Sequence, residues 1–244
     1  MSAGRSSVIR SALRPVLARA VGRGSGRVRR LPLGLGRGLR MELHPSSPLD
    51  MYLGLYEYEL APHVRELCRP GHVCFDIGAF DGYYSLVFSR LTASRVIVFD
   101  ADPEACERIR RNCDLNPELG RRVEIRRSFV AFETNPAESC VALDDLVRDG
   151  DVPVPDLLKL DVDRAELSAL TGAKEMLARR RPHLIVEVHS TELERQCAEL
   201  MLELGYTPLI VSQRRRLREN RPIEHNRWIV ARGSEGYSAA ISHQ

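Results

Sequence analysis

An α/β fold with a doubly wound, mostly parallel sheet is what this sequence predicts, and three observations carry the expectation. Short apolar runs such as V-I-V-F-D (96–100), D-L-L-K-L-D (156–161) and H-L-I-V-E-V (183–188) read as strands covered on both faces. Stretches with helical apolar spacing lie between them, as a parallel sheet requires. Asp76, Asp100, Asp161 and Glu187 stand at or near the ends of four such runs, which would gather carboxylates on the sheet edge where ligands of these folds bind.

The elements follow in chain order. Tyr56 to Cys68 has helical spacing and stops at R-P-G, where Pro70 and Gly71 cannot continue it. Val73 starts the first strand, which runs straight into the turn D-I-G-A-F-D-G. Tyr83 to Leu91 reads as the first crossover helix and Arg95 to Asp100 as the second strand. Asp102 and Pro103 supply an N-cap and a first-turn proline for a helix that puts Ala105, Ile109 and Cys113 on one face. Val123 to Ile125 is a third strand, and Phe129 to Asn135 is irregular. The run 156–161, the segment 165–178 and the run 183–188 give strand, helix and strand. Thr191 with Glu194 reads as the capping box of a helix that packs Leu193, Cys197, Leu200 and Leu204 and ends at Gly205. Thr207 to Val211 and Trp228 to Ala231 are predicted to pair antiparallel across the Arg-rich stretch 214–221, which makes the C-terminal strand antiparallel.

Composition narrows the function classes. At 244 residues and 43% apolar, the chain can bury a sizeable core. Residues 1–50 hold ten arginines against Glu42 and Asp50, a net +8, so the overall +3 leaves −5 for the remaining residues. The body therefore offers no electrostatic footprint for nucleic acid. The first 45 residues read as a basic tail, residues 46–235 as the folded domain and residues 236–244 as a second tail. In the basic tail Leu13, Leu17 and Val21 share a helical face, so the segment resembles a transit peptide or a surface-seeking helix, and is either solvated or docks on an anionic membrane surface. No apolar run approaches the roughly 20 residues of a membrane span, and the expected location is cytoplasmic, with peripheral contact at the inner membrane face through that tail. Only Lys159 and Lys174 are lysines, an imbalance toward arginine that points to a GC-rich, bacterial genome. Cys68, Cys74, Cys106, Cys113, Cys140 and Cys197 form no C-x-x-C pair and read as small buried thiols in a reducing compartment.

The glycine turn points to a nucleotide-type cofactor with a free ribose. Gly78 and Gly82 lack side chains that would keep the backbone from a ligand, and Asp100 can accept from both ribose hydroxyls. With two glycines four apart the turn lacks the G-x-G-x-x-G of dinucleotide sites, which disfavours NAD.

Five ordered motifs then converge: Y-L-G-L-Y-E-Y-E, D-I-G-A-F-D-G-Y-Y-S-L, V-F-D-A-D-P, L-L-K-L-D-V-D-R-A-E-L-S-A-L-T-G-A and L-I-V-E-V-H. Over about residues 50 to 210 the chain resembles the FkbM family of S-adenosylmethionine-dependent methyltransferases, whose fold is the Rossmann-like class I methyltransferase type. The resemblance implies S-adenosylmethionine as cofactor and O-methylation of a hydroxyl on a sugar, glycan or polyketide-type small molecule. It also implies that Asp76 and Gly78 lie near the methionine end, Gly82 at the helix start and Asp100 on the ribose. The sequence departs from the family at Asp100-Ala101, where Glu within F-E-P is usual, and at Arg164, where D-V-E-G-x-E has glycine. Arg164 would narrow the pocket or strain the backbone if that glycine has φ > 0. A degenerate scaffold protein that keeps the fold, or an N- or protein methyltransferase, are the alternative readings. The latter is disfavoured by the lack of an aromatic N-P-P-Y-like clamp after Asp161.

For the chemistry, His189 is the candidate base, because it titrates near neutrality directly after V-E-V. Asp161 could orient the acceptor or the methionine ammonium, and Glu187 could face either layer of the fold. Asp161, Asp163 and Glu166 would also suit Mg²⁺, but an acid at a helix start is accounted for by the helix dipole, so no metal is expected. Asp102 is read as an N-cap, and Phe129 as a core side chain, with stacking near an adenine as the alternative.

Overall fold

The computed structural model describes residues 28–42, 51, 53–212 and 227–233. The chain divides into two compact units between Tyr56 and Glu57. In the first, β1 (Val28–Arg30) and β2 (Arg40–Glu42) form an antiparallel hairpin within the segment read from sequence as tail. The reversal is closed by Leu31 N–H donating to the Leu39 carbonyl and Gly38 N–H donating to the Leu31 carbonyl, with Gly34 and Gly38 at φ 72° and 91°. Leu31, Leu39 and Met41 are buried, so apolar alternation outweighs the arginines there. The amphipathic stretch around Leu13 to Val21 and the Arg-rich stretch 214–221 lie outside the described residues.

The second unit opens with a 3₁₀ turn at Tyr58–Leu60 and α1 (Ala61–Leu67), later than the sequence spacing suggested because Pro62 fits only a first turn. Then come β3 (Cys74–Ile77), α2 (Tyr83–Thr92), β4 (Val96–Asp100), α3 (Pro103–Asp114), α4 (Pro117–Gly120) and β5 (Val123–Arg127). The segment expected to be irregular contains a short parallel pair, β6 (Phe129–Val130) and β7 (Cys140–Val141). Val130 takes the core position there while Phe129 is only half-buried, which corrects its reading as a core side chain. After α5 (Leu143–Arg148) and β8 (Leu157–Leu160), the predicted helix over 165–178 is two helices, α6 (Glu166–Thr171) and α7 (Lys174–Arg180). The break has a local cause. A Cβ on Gly172 would stand 1.9 Å from the Ala131 carbonyl oxygen, and the Asp144 carboxylate accepts from the Glu175 and Met176 N–H groups at 2.8 and 2.7 Å, capping α7 from outside.

β9 (His183–Val188), α8 (Thr191–Glu203), β10 (Pro208–Ser212) and β11 (Arg227–Ala231) complete the unit. The cap of α8 is Ser190, whose hydroxyl accepts from Leu193 N–H, rather than Thr191. Among the described residues the main sheet has seven strands in the order β10-β11-β9-β8-β3-β4-β5. β11 is antiparallel to both neighbours, as predicted, and the other pairings are parallel.

Side-chain alternation divides the two faces of this sheet. Phe75, Ile77, Ile97, Phe99, Leu158, Leu160, Leu184 and Val186 pack one face into the main apolar core with Leu170, Leu177, Cys197 and Met201 of the helices. The register sets Asp76 beside Lys159 and Glu187 beside Trp228, so the other face carries the polar residues. Five of the six cysteines are buried and Cys140 is half-buried, all as free thiols. No described helix is long and apolar enough to cross a membrane.

Candidate active site

β3 passes into the turn at Gly78 with φ 77°. The glycine is required by the chain itself: an added Cβ would lie 1.8 Å from the Asp161 carbonyl oxygen. Gly82, φ 78°, is the N-cap of α2, and a Cβ there would press on Ile109 at 3.1 Å. Asp76 is fully buried beneath the turn and accepts from the Ser85 hydroxyl at 2.5 Å, while its Oδ1 has no hydrogen-bond partner. Burial raises its pKa against the opposing pull of Lys159 and Ser85.

Asp100 ends β4 with its carboxylate shared between two loops. Oδ2 accepts from Phe80 N–H at 3.1 Å and Oδ1 from Asp102 N–H at 3.0 Å. A carboxylate offers about four acceptor sites, so lone pairs remain on a half-buried group for two further hydroxyls. Desolvation raises its pKa and the two backbone donors oppose that shift. Asp102 is the N-cap of α3, accepting from Glu104 N–H at 2.9 Å, a contribution of about 1 kcal/mol. Phe80, exposed at φ 56°, lies under the Arg108 guanidinium at 4.8 Å. Its position was not singled out from the sequence.

The neighbouring edge, at the ends of β8 and β9, is dense in charge. Lys159 is buried, with its ammonium 3.1 Å from Asp161 and 4.8 Å from the centre of the Tyr84 ring. Burial alone would lower its pKa, but Asp161, Glu57, Asp76 and Glu187 together raise it. Glu187 faces the same side as Lys159 and accepts from the Trp228 indole at 3.1 Å. Desolvation, then Asp161 and Glu57, push its pKa well above the usual carboxylate range.

His189 sits just past β9 among three acids. Nδ1 is hydrogen-bonded to Oε1 of the fully buried Glu166, and Nε2 lies 3.3 Å from Asp163 and 4.0 Å from Asp161. The Glu166 bond, which outweighs burial, raises the His189 pKa. A carboxylate can only accept, so Nδ1 carries the proton and Nε2 keeps its lone pair in the neutral ring.

The structure thus brings His189, Asp161 and Glu187 together, with one donor atom of each within 4.8 Å of the others. The triplet considered for Mg²⁺ from the sequence does not converge: Glu166 is buried behind the imidazole, and the Asp163 side chain is 96% exposed. In the converging set Lys159 already neutralises Asp161, which disfavours a cation there. Sequence reading missed Lys159 and the role of Glu166. A lysine inside L-L-K-L-D was the available signal, because a charge in a doubly covered strand must be paired. Arg164 has φ 64°, the left-handed conformation that explains why glycine suits this position, and its side chain is exposed, so it does not fill the interior.

Residues 120–219 match the family description "Methyltransferase FkbM domain". Over that segment the chain is similar to the FkbM methyltransferase domain. The match spans β5, β8, β9 and the His189 cluster but begins beyond the glycine turn. A hexuronic acid methyltransferase, AglP, of Haloferax volcanii is 26% identical over 168 residues, 60% of this chain and 68% of the relative. The crystal structure of methyltransferase FkbM from Methylobacillus flagellatus KT superposes with a TM-score of 0.53 at 17% identity over 75% of this chain. This chain spans about half of that one, 54%. The Pyrococcus abyssi tRNA (uracil-54, C5)-methyltransferase, in complex with S-adenosyl-L-homocysteine, superposes with a TM-score of 0.56 at 18% identity, over 86% of this chain and 45% of that one. Both share the fold, a mostly parallel sheet with helices on its faces, including the strands that flank the glycine turn.

Proposed function

We propose that this protein is an S-adenosylmethionine-dependent O-methyltransferase acting on a hydroxyl of a sugar or glycan-type acceptor. The observation that carries the reading is the position of Asp161. Its carbonyl packs on the Gly78 turn while its carboxylate lies 4.0 Å from His189 Nε2, so the donor-type loop and the candidate base adjoin. The match to the FkbM methyltransferase domain and the similarity to a hexuronic acid methyltransferase support the reaction and the acceptor class.

The residues fit the cofactor. Asp100 retains free lone pairs for ribose hydroxyls, and the Gly78 and Gly82 backbones leave the turn without side chains. S-adenosylmethionine supplies an electrophilic methyl group on a sulfonium centre. His189 takes the acceptor hydroxyl proton at Nε2, which typically contributes about 10²- to 10⁴-fold. Glu166 fixes the tautomer and stabilises the imidazolium as it forms. Lys159 holds Asp161 ionised and in place. Asp161 then orients an acceptor hydroxyl beside Nε2, and alignment of this kind can be worth about 7–11 kcal/mol.

The test is incubation with methyl-labelled S-adenosylmethionine and a panel of uronic acid, neutral sugar and polyketide acceptors. A labelled methyl ether that His189→Ala fails to form supports the proposal. Label found only on amines or on protein would replace it with the nitrogen reading.

A further inference from the structure

We propose that Arg164 is the anion anchor of the acceptor site, so that the acceptor carries an oxyanion, carboxylate or phosphate ester, on the same sugar as its reacting hydroxyl. This rests on the methyltransferase reading above and adds a specificity-determining residue to it.

The first argument is position. The segment Asp161 to Glu166 joins β8 to α6 and wraps the His189 ring: Asp163 lies 3.3 Å from Nε2, and Glu166 holds Nδ1. Arg164 stands between those two contacts, on the exposed side of the loop.

The second argument is charge. Asp161 is paired with Lys159 at 3.1 Å, Asp163 and Glu166 are paired with His189, and burial drives Glu187 toward its neutral form. None of these acids is ion-paired with Arg164. Arg164 forms no hydrogen bond or ion pair with another described residue. A guanidinium unpaired among the described residues, on the loop that holds the base, is suited to bidentate recognition of a carboxylate or phosphate.

The third argument is conformation. At φ 64° a glycine would sit without penalty, whereas an arginine holds the left-handed region at a cost. Backbone held in such regions clusters at ligand clamps. The Arg164 side chain faces solvent on the loop that carries Asp163 and Glu166 to the His189 ring, so burial in the core does not account for it.

The test is calorimetry on the full chain saturated with S-adenosylhomocysteine, with methyl glucuronide, glucose 6-phosphate and methyl glucoside as probes. Arg164→Gly relieves the left-handed strain, so folding is not at risk, and Arg164→Lys keeps a point charge. Wild type should bind an anionic probe more tightly than methyl glucoside, and Arg164→Gly should weaken that binding by about tenfold or more. Arg164→Lys should recover part of the loss, and S-adenosylhomocysteine affinity should be retained. Preference between glucuronide and 6-phosphate assigns the oxyanion. If S-adenosylhomocysteine binds but the anionic probes bind no better than methyl glucoside, or ignore Arg164→Gly, the anchor is wrong and the methyltransferase reading stands. If wild type binds no S-adenosylhomocysteine, both fall together.

Discussion

The two halves of the candidate site are built on opposite principles. The edge formed by β3 and β4 uses backbone: Gly78 yields space to the Asp161 carbonyl, and Asp100 is held by the Phe80 and Asp102 N–H groups. The edge formed by β8 and β9 uses titratable side chains, with Lys159, Asp161, Glu187, Glu166 and His189 stacked against one another. A fixed cradle suits a cofactor of constant shape. A charge cluster whose protonation can change suits the step in which a proton leaves the acceptor. The contrast teaches that the first half should fail through sterics and the second through electrostatics.

Lys159→Met gives the largest expected effect. Removing the buried ammonium leaves Asp76, Asp161 and Glu187 uncompensated and should destabilise the fold by about 3–5 kcal/mol at neutral pH. The loss should shrink as the pH falls and the carboxylates take up protons; urea melts at pH 5 and pH 8 read it. Equal losses at both pH values would mean that Lys159 acts through packing, as it would on an apolar edge.

Gly78→Ala should cost about 3 kcal/mol with no comparable pH dependence, because backbone opposes the new methyl at 1.8 Å and φ is positive. The same melts apply, and a mild effect would mean that the turn can move away from Asp161.

Glu166→Gln sharpens the comparison on the acceptor side. NMR titration of the His189 ring should show a midpoint above the ordinary histidine value of about 6.5 in wild type, falling in the variant because the first cause of the shift is removed. The linked stability has a defined sign. A raised histidine pKa adds stability that is fully present below the unfolded value and is lost as the pH rises through the folded one. The variant should lack that loss. For catalysis the direction is opposite, since His189 must be neutral to accept a proton, so the methylation rate should rise with pH and the acidic limb should move lower in Glu166→Gln. An unmoved midpoint would remove Glu166 from the positioning role.

Arg164→Gly gives the smallest effect, a gain of about 1 kcal/mol from release of the left-handed arginine, measured as a raised melting temperature.

Most of the sheet was legible because doubly covered strands are written as continuous apolar runs. His183–Val188 is one strand with the boundaries read, and Asp102 caps its helix as expected. The departures arise where distant residues decide local structure. The helix over 165–178 breaks at Gly172 because Ala131 and Asp144, from other elements, press and cap it. The hairpin 28–42 was masked by its arginines, whose stems and charges hide the buried Leu31, Leu39 and Met41. In the site, His189, Asp161 and Glu187 were nominated individually, and the structure adds that they meet. Neither the partnership of Glu166 with His189 nor the ring of acids around Lys159 could be read linearly. Both depend on strand register and on a loop folding back.

The central claim is that the glycine turn and Asp100 form a binding site for S-adenosylmethionine beside His189. Calorimetric titration of S-adenosylhomocysteine into wild type and Asp100→Asn tests it most directly. The account predicts one-to-one binding in wild type and an affinity about tenfold or more lower in Asp100→Asn, since a charged acceptor of ribose hydroxyls is lost while its shape is kept. Absence of binding in wild type, or equal affinity in the two proteins, would contradict it.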